Sequence, residues 1–233
     1  MKISLIQYKS SKGDVDLNIK RHLKWIEKAT KEYVNLIAFP ELSLTGYEPS
    51  LAKNLALEIH DARLQIFSKK AQEYNTIIII GYPLKTKHGI TIAMGIFYSD
   101  GSMDTYSKQY LHKDEKQFFV GGHDTKIIRI GRWTIGLAIC YESLQKEHFD
   151  SCLNNNVNLY LVSVCKHKDG IKKAVKYYET LSKENLTPVL MVNSVGKCDN
   201  FLSAGYSSFW NRRGLLQSKL GKSQEGILHC VIN

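Results

Sequence analysis

Apolar and polar positions change period repeatedly along the chain. "ISLIQY" (3–8) predicts a strand, and residues 16–33 then carry Leu17, Ile19, Leu23, Ile26 and Ala29 at mostly helical spacing. "NLIAFP" (35–40) predicts a second strand, stopped by Pro40, which has no N–H to give a ladder. Residues 60–74 return to the helical period. "TIIIIGYP" (76–83) is an unbroken β-branched run, as expected of a strand covered on both faces. "TIAMGIFYS" and "MDTYSK" flank "SDGS", where Asp100-Gly101 predicts a hairpin. After "TKIIRIGRWTIGLAIC" the pattern predicts helix 144–153, strand 158–164, helix 170–185 and strand 187–194. The tail alternates short strands and turns, with "NRRG" (211–214) between "GYSSFW" and "LLQSKL". Strand–helix alternation with hairpins predicts an α/β protein with a mixed sheet and helices on one side of each sheet.

No Ser/Gly/Pro linker, repeat or low-complexity tract interrupts this, so residues 1–233 are expected to form one domain. With 43% hydrophobic and 23% charged residues, a chain of 233 can bury a large core without staples. "MKISLIQY" reads as a first strand rather than a signal peptide, and no stretch nears the ~20 apolar residues of a membrane span. The expectation is a cytoplasmic protein with no membrane association. Five cysteines form no CxxC pair, and no histidine stands at metal-finger spacing, so neither a disulfide framework nor a zinc site is expected. Each thiol alone is a small buried hydrophobe. The net charge of +10 invites anions, but Lys20, Lys24 and Lys28 share one helix face and the other lysines are scattered. No nucleic-acid module is visible, so nucleic acid is not an expected partner.

Chemistry gathers where strands end. In "AFPELSLTGY" (38–47) Glu41 follows a strand stopped by proline, where partial removal from water raises a carboxyl pKa toward that of a general base. In "YSKQYLHKDEKQFFVGG" (106–122) Lys108 ends a hairpin strand and Glu115 follows it; a lysine near two carboxylates stays protonated and can stabilise an oxyanion. In "IGLAICYES" (135–143) Cys140 ends an apolar strand just before a predicted helix. A helix N-terminus and a nearby cation both lower a thiol pKa. Taken singly, each residue also reads as ordinary: a loop glutamate, a solvated lysine, a buried thiol. Together they are a base, a cation and a nucleophile, each at a strand end, where open α/β sheets bind ligands.

"FPELSLTGY", "YSKQYL…E…FF…G" and "GLAICYES" resemble, in order, the three signature blocks of the nitrilase superfamily of carbon–nitrogen hydrolases. "VLMVNSVGKCDNFLSAGYSSFWNRRGLL" resembles a later block with a strand, an Asn and a G-x-S-x-x-x-x-x-x-G hairpin. The resemblance implies a four-layer αββα sandwich with mixed β-sheets, commonly paired as a homodimer or higher homo-oligomer. It implies that Cys140 is the nucleophile, Glu41 the base, Lys108 with the backbone N–H of Tyr141 the oxyanion site, and Glu115 the residue that orients the lysine. It implies no metal or organic cofactor. Tyr141 favours a small-molecule amide over a nitrile as substrate, with nitrile hydrolysis or a non-catalytic binding role as alternatives. "SVCKHKDG" (163–170) departs from the family's usual loop, and there Lys166 could meet a substrate carboxylate or stand solvated. The chain ends earlier than many relatives, which puts the mode of pairing in question. The glutaminase portion of a synthetase is not favoured, because no nucleotide-binding domain follows.

Overall fold

Alternate side chains of the isoleucine run enter different cores. Ile77 and Ile79 join one cluster, Ile78 and Ile80 another. The same split separates Leu159 and Leu161 from Tyr160 and Val162, and Leu190 and Val192 from Val189 and Met191. A strand with both faces apolar must be covered twice, and these are.

The computed structural model describes every residue, Met1–Asn233. The first half of the chain runs β1 (Lys2–Gln7), α1 (Val15–Ala29), β2 (Leu36–Ala38), α2 (Ala52–Leu55), α3 (Gln65–Glu73), β3 (Ile77–Thr86), β4 (Gly89–Phe97) and β5 (Met103–Ser107). The second half runs β6 (Ile127–Ile130), β7 (Trp133–Ile139), α4 (Lys146–Asn154), β8 (Leu159–Val164), α5 (Lys168–Asn185), β9 (Val189–Asn193), β10 (Val195–Cys198), β11 (Phe201–Ala204), β12 (Ser208–Trp210), β13 (Leu216–Lys219) and β14 (Gly226–Val231). One six-stranded sheet has the order β14-β1-β2-β3-β4-β5 and the other β13-β12-β9-β8-β7-β6. Their inner faces share a core of 25 buried residues. Phe67 and Ala71 of α3 and Ile26 and Ala29 of α1 cover one outer face. Phe149 of α4 and Ala174 and Tyr178 of α5 cover the other. The result is an αββα sandwich with mixed sheets.

β1, β2 and β3 are parallel, as are β7, β8 and β9, and all other pairings are antiparallel. Since β5 is two antiparallel steps from β3, it runs in the same direction as β2 and β3. The carboxyl ends of β2 and β5 therefore lie at one edge of their sheet, and those of β7 and β8 at one edge of theirs. The Ser163 hydroxyl donates to the Phe39 carbonyl at 2.9 Å, bringing the two edges together.

The structure departs from the sequence pattern locally. The first helix is capped by Asp14, whose carboxylate accepts the Leu17 N–H, and it ends at Ala29 rather than running to residue 33. The helix expected over 144–153 is split: a 3₁₀ turn spans Cys140–Leu144 and α4 starts at Lys146. The β10–β11 hairpin, made of short and partly exposed strands, left no periodic signal. No helix is long and apolar enough to cross a membrane.

Candidate active site

Pro40 ends β2, and residues 41–45 fold back as a buried turn. This turn rests against β3 at Gly81, where any Cβ would lie 2.5 Å from the Leu42 nitrogen and 2.6 Å from the Pro40 oxygen. Only glycine permits that approach. The turn delivers the Glu41 carboxylate into the space between the sheets. One oxygen accepts the Lys108 ammonium at 2.8 Å, and the other accepts the Cys165 N–H at 3.1 Å. Burial pushes the Glu41 carboxyl up; Lys108 opposes this and Glu115 adds to it, with a net rise.

Lys108 leaves the end of β5 and is fully buried. Its ammonium lies 2.8 Å from Glu41 and 2.7 Å from Glu115. Burial alone pulls an ammonium pKa down, but the two carboxylates outweigh it and hold Lys108 above the usual lysine value. Glu115 is itself fixed, accepting from the Tyr47 hydroxyl at 2.9 Å and the His112 N–H at 2.8 Å.

Cys140 follows β7 with φ +52°, a left-handed conformation that costs a non-glycine residue about 1–3 kcal/mol. The Ser143 hydroxyl donates to the Cys140 carbonyl at 2.6 Å, holding the turn. Burial pushes the thiol up to about 11, Glu41 adds to the rise, and Lys166 and then Lys108 oppose it. The lowered thiol pKa expected from the sequence is thus reversed. The helix whose N-terminus was to lower it starts at Lys146, behind the 3₁₀ turn, and desolvation of the thiolate outweighs the two lysines.

A cavity of about 820 Å³ opens over Cys140 and is lined also by Tyr141, Glu115, Tyr47, Lys166 and Phe201. Glu41 and Lys108 are buried and form no part of its wall. The structure therefore brings Glu41, Lys108 and Glu115 into one hydrogen-bonded group, with Cys140, Tyr141 and Lys166 on the cavity beside it. No three His, Cys, Asp or Glu side chains are grouped so as to hold a metal ion. Two participants were missed in the sequence. The Cys165 N–H orients Glu41, and Asn193 holds the backbone at Lys166 through bonds of 2.9 and 3.2 Å. The Asn in "VLMVNS" was the one visible trace of the second.

Four layers in this order, with these strand-end residues in chain order, define a member of the nitrilase superfamily. The model of the carbon–nitrogen hydrolase family matches residues 2–233, and the chain belongs to that family. An amidase from Nesterenkonia sp. AN1, solved with acrylamide added at its active-site cysteine, superposes with a TM-score of 0.91 at 20% identity, covering 100% of this chain and 93% of its own. Nit3 of Saccharomyces cerevisiae superposes with a TM-score of 0.91 at 19% identity, covering 99% and 89%. In sequence, a glutamine-dependent NAD(+) synthetase of Acinetobacter baylyi is 27% identical over 228 aligned positions, covering 91% of this chain and 40% of the synthetase. A Schizosaccharomyces pombe protein named as a probable nitrilase is 24% identical over 99% of this chain and 88% of its own length. The chain thus spans about two fifths of the length of the synthetases it matches.

Proposed function

We propose that the protein is a cofactor-independent thiol amidohydrolase that cleaves a small linear amide or carbamoyl compound and releases ammonia. The observation that carries this reading is the buried ion pair of Lys108 with Glu41 and Glu115 behind a cysteine at a strained strand end. Among the charged groups around the Cys140 thiol, the Glu41 carboxylate acts on it most strongly. A thiol pushed up by burial needs a base, and a carboxylate pushed up by burial is suited to be one.

The steps follow. Cys140 Sγ attacks the amide carbon while Glu41 takes the thiol proton. The tetrahedral oxyanion is held by the Lys108 ammonium and the Tyr141 backbone N–H. Glu41 returns the proton to nitrogen, the C–N bond breaks, and ammonia leaves a thioester on Cys140. Glu41 then takes a proton from water, whose oxygen attacks the thioester; the C–S bond breaks and the sulfur regains a proton. The sum is amide plus water giving carboxylic acid plus ammonia. Glu115 keeps Lys108 aligned throughout.

The shared core of the two sheets supports reading residues 1–233 as one catalytic unit. By the family resemblance, that unit is proposed to pair with a second copy in the cytoplasm, which light scattering in solution tests. The similarity to glutamine-dependent synthetases favours a second reading, in which the amide is that of glutamine and the ammonia serves a synthetase. Ammonia release from a panel of linear amides, carbamoyl compounds, nitriles and glutamine tests both. Turnover of an amide that vanishes in Cys140→Ala is expected. Full turnover in Cys140→Ala, or turnover of nitriles alone, contradicts the proposal.

A further inference from the structure

Lys166 stands on the cavity wall with its charge unmatched. The residue is only 8% exposed, yet no carboxylate lies within ion-pair reach of its ammonium, whereas buried Lys108 has two. The covered stem and the ammonium open to the cavity leave that charge free to meet an anion there. Nor is this a loose loop residue. The Lys166 N–H donates to the Asn193 side chain at 2.9 Å. Its carbonyl accepts from Asn193 at 3.2 Å, from the Ser203 hydroxyl at 3.2 Å and from the Ala204 N–H at 2.9 Å. The backbone is locked, and the side chain faces the same cavity as Cys140.

A second positive feature adjoins it. The 18-residue helix α5 begins at Lys168, and its capping residue, His167, supplies no side-chain acceptor. The N–H groups of Lys168, Asp169 and Gly170 find no acceptor in the protein, and the first bond of the helix is made by the Ile171 N–H to the His167 carbonyl. His167, Asp169 and Gly170 line the cavity. A helix N-terminus with free N–H groups attracts anions.

The other charges on the cavity wall do not neutralise Lys166. Glu115 is committed to Lys108, Asp114 to His112, and Asp169 to Lys172 at 3.1 Å. Asp199, also on this wall, makes no ion pair with Lys166, and Lys173 adds a further positive charge. One ammonium plus a helix N-terminus suits a singly charged planar anion better than a dianionic phosphate.

We infer that Lys166 and the amino end of α5 form a subsite for a carboxylate at the far end of the substrate, so that the substrate class is ω-amido carboxylates. This rests on the amidohydrolase reading and narrows it: the carboxamide lies over Cys140 and the carboxylate against Lys166. Glutamine belongs to the same class, and its α-ammonium is what separates it from a simple amido acid.

The test compares glutaramate with pentanamide, which has the same five-carbon chain and no charge, in the wild type, Lys166→Met and Lys166→Arg. The wild type is expected to favour glutaramate in kcat/KM by about 100-fold, the scale of a charge-assisted pair. In Lys166→Met that ratio is expected to collapse toward unity, chiefly through the KM of glutaramate, and Lys166→Arg is expected to restore part of it. A wild-type preference for pentanamide overturns the inference. So does a fall of both substrates together with the ratio unchanged, which would put Lys166 to work on the thiol. Calorimetric binding of glutaramate to Cys140→Ala separates the subsite from the chemistry. Binding that Lys166→Met abolishes supports the subsite even if no amide is turned over; binding indifferent to residue 166 overturns it. Glutamine, run alongside, reports whether an α-ammonium adds to or detracts from recognition.

Discussion

The Glu142 carboxylate accepts the Gln109 N–H at 2.6 Å, joining the turn that carries Cys140 to the strand end that carries Lys108. Its other oxygen accepts the Ile139 N–H at 2.6 Å and the Tyr106 hydroxyl at 2.7 Å. Since Tyr106 donates to Glu142, its oxygen accepts from the His148 ring at 2.8 Å, and the other His148 nitrogen accepts from the Tyr160 hydroxyl at 2.8 Å. Every direction in this buried chain is consistent, and it sets the register between Cys140 and Lys108.

Glu142→Gln is therefore expected to be far from conservative. The amide NH₂ would replace an acceptor and face a backbone or hydroxyl donor. A loss of about 2–4 kcal/mol in urea unfolding is expected, with activity down at least about tenfold. Unchanged stability would show that the chain does not hold the turn.

Replacing Lys108 by Met leaves Glu41 and Glu115 buried without their cation. The expected cost is about 3–5 kcal/mol, with activity lost by about 10²-fold or more. Stranded carboxylates can escape the cost only by taking protons. The deficit should thus be largest near pH 8 and shrink toward pH 5, as read from urea midpoints across that range. A deficit independent of pH contradicts the pairing.

The Cys140 thiol, pushed up to about 11, should be almost wholly protonated at neutral pH. Its alkylation by iodoacetamide is expected to rise about tenfold per pH unit from pH 7 to about 10, followed by mass spectrometry of the Cys140 peptide. A rate already at plateau by pH 8 would mean that the lysines hold a thiolate.

His22 and His148 are buried, and burial pushes their imidazoles down to about 3 and about 4. Because these values lie below the ordinary 6.5, each histidine's contribution to stability is full above 6.5 and is lost as pH falls toward its folded value. The slope is about 1.4 kcal/mol per pH unit for each. In NMR titration, two of the eight histidines should stay neutral at pH 5. If all eight titrate between pH 6 and 7, these two side chains are not buried as described.

The strand ends were legible in the sequence because their signals are local. Pro40 stops β2, Asp100-Gly101 turns β4 into β5, and the alternation before Cys140 marks β7. Glu41, Lys108 and Cys140 each follow such a signal, and the strand directions, parallel from β2 to β3 and reversed twice from β3 to β5, bring the first two to one sheet edge that meets the edge carrying Cys140. What was not legible depends on distant contacts. Glu142, two residues past the cysteine, looks like an adjacent base, yet the turn aims it at Gln109. The direction of the Cys140 shift depends on how dry the site is, and no spacing encodes that. Asn193 and the Cys165 N–H act through the loop after β8, whose path is set by β9 and β11.

Cys140 is proposed to form a thioester in a site where Glu41 handles the protons. Glu41→Gln is expected to slow hydrolysis of the thioester more than its formation from a reactive amide, so its Cys140 peptide, quenched in acid after incubation with that amide, should carry the acyl group. Intact-mass and peptide-mass measurements should show one acyl group per chain, absent in Cys140→Ala. An acyl group on another residue, or ammonia released at the wild-type rate by Cys140→Ala, would contradict thioester formation at Cys140.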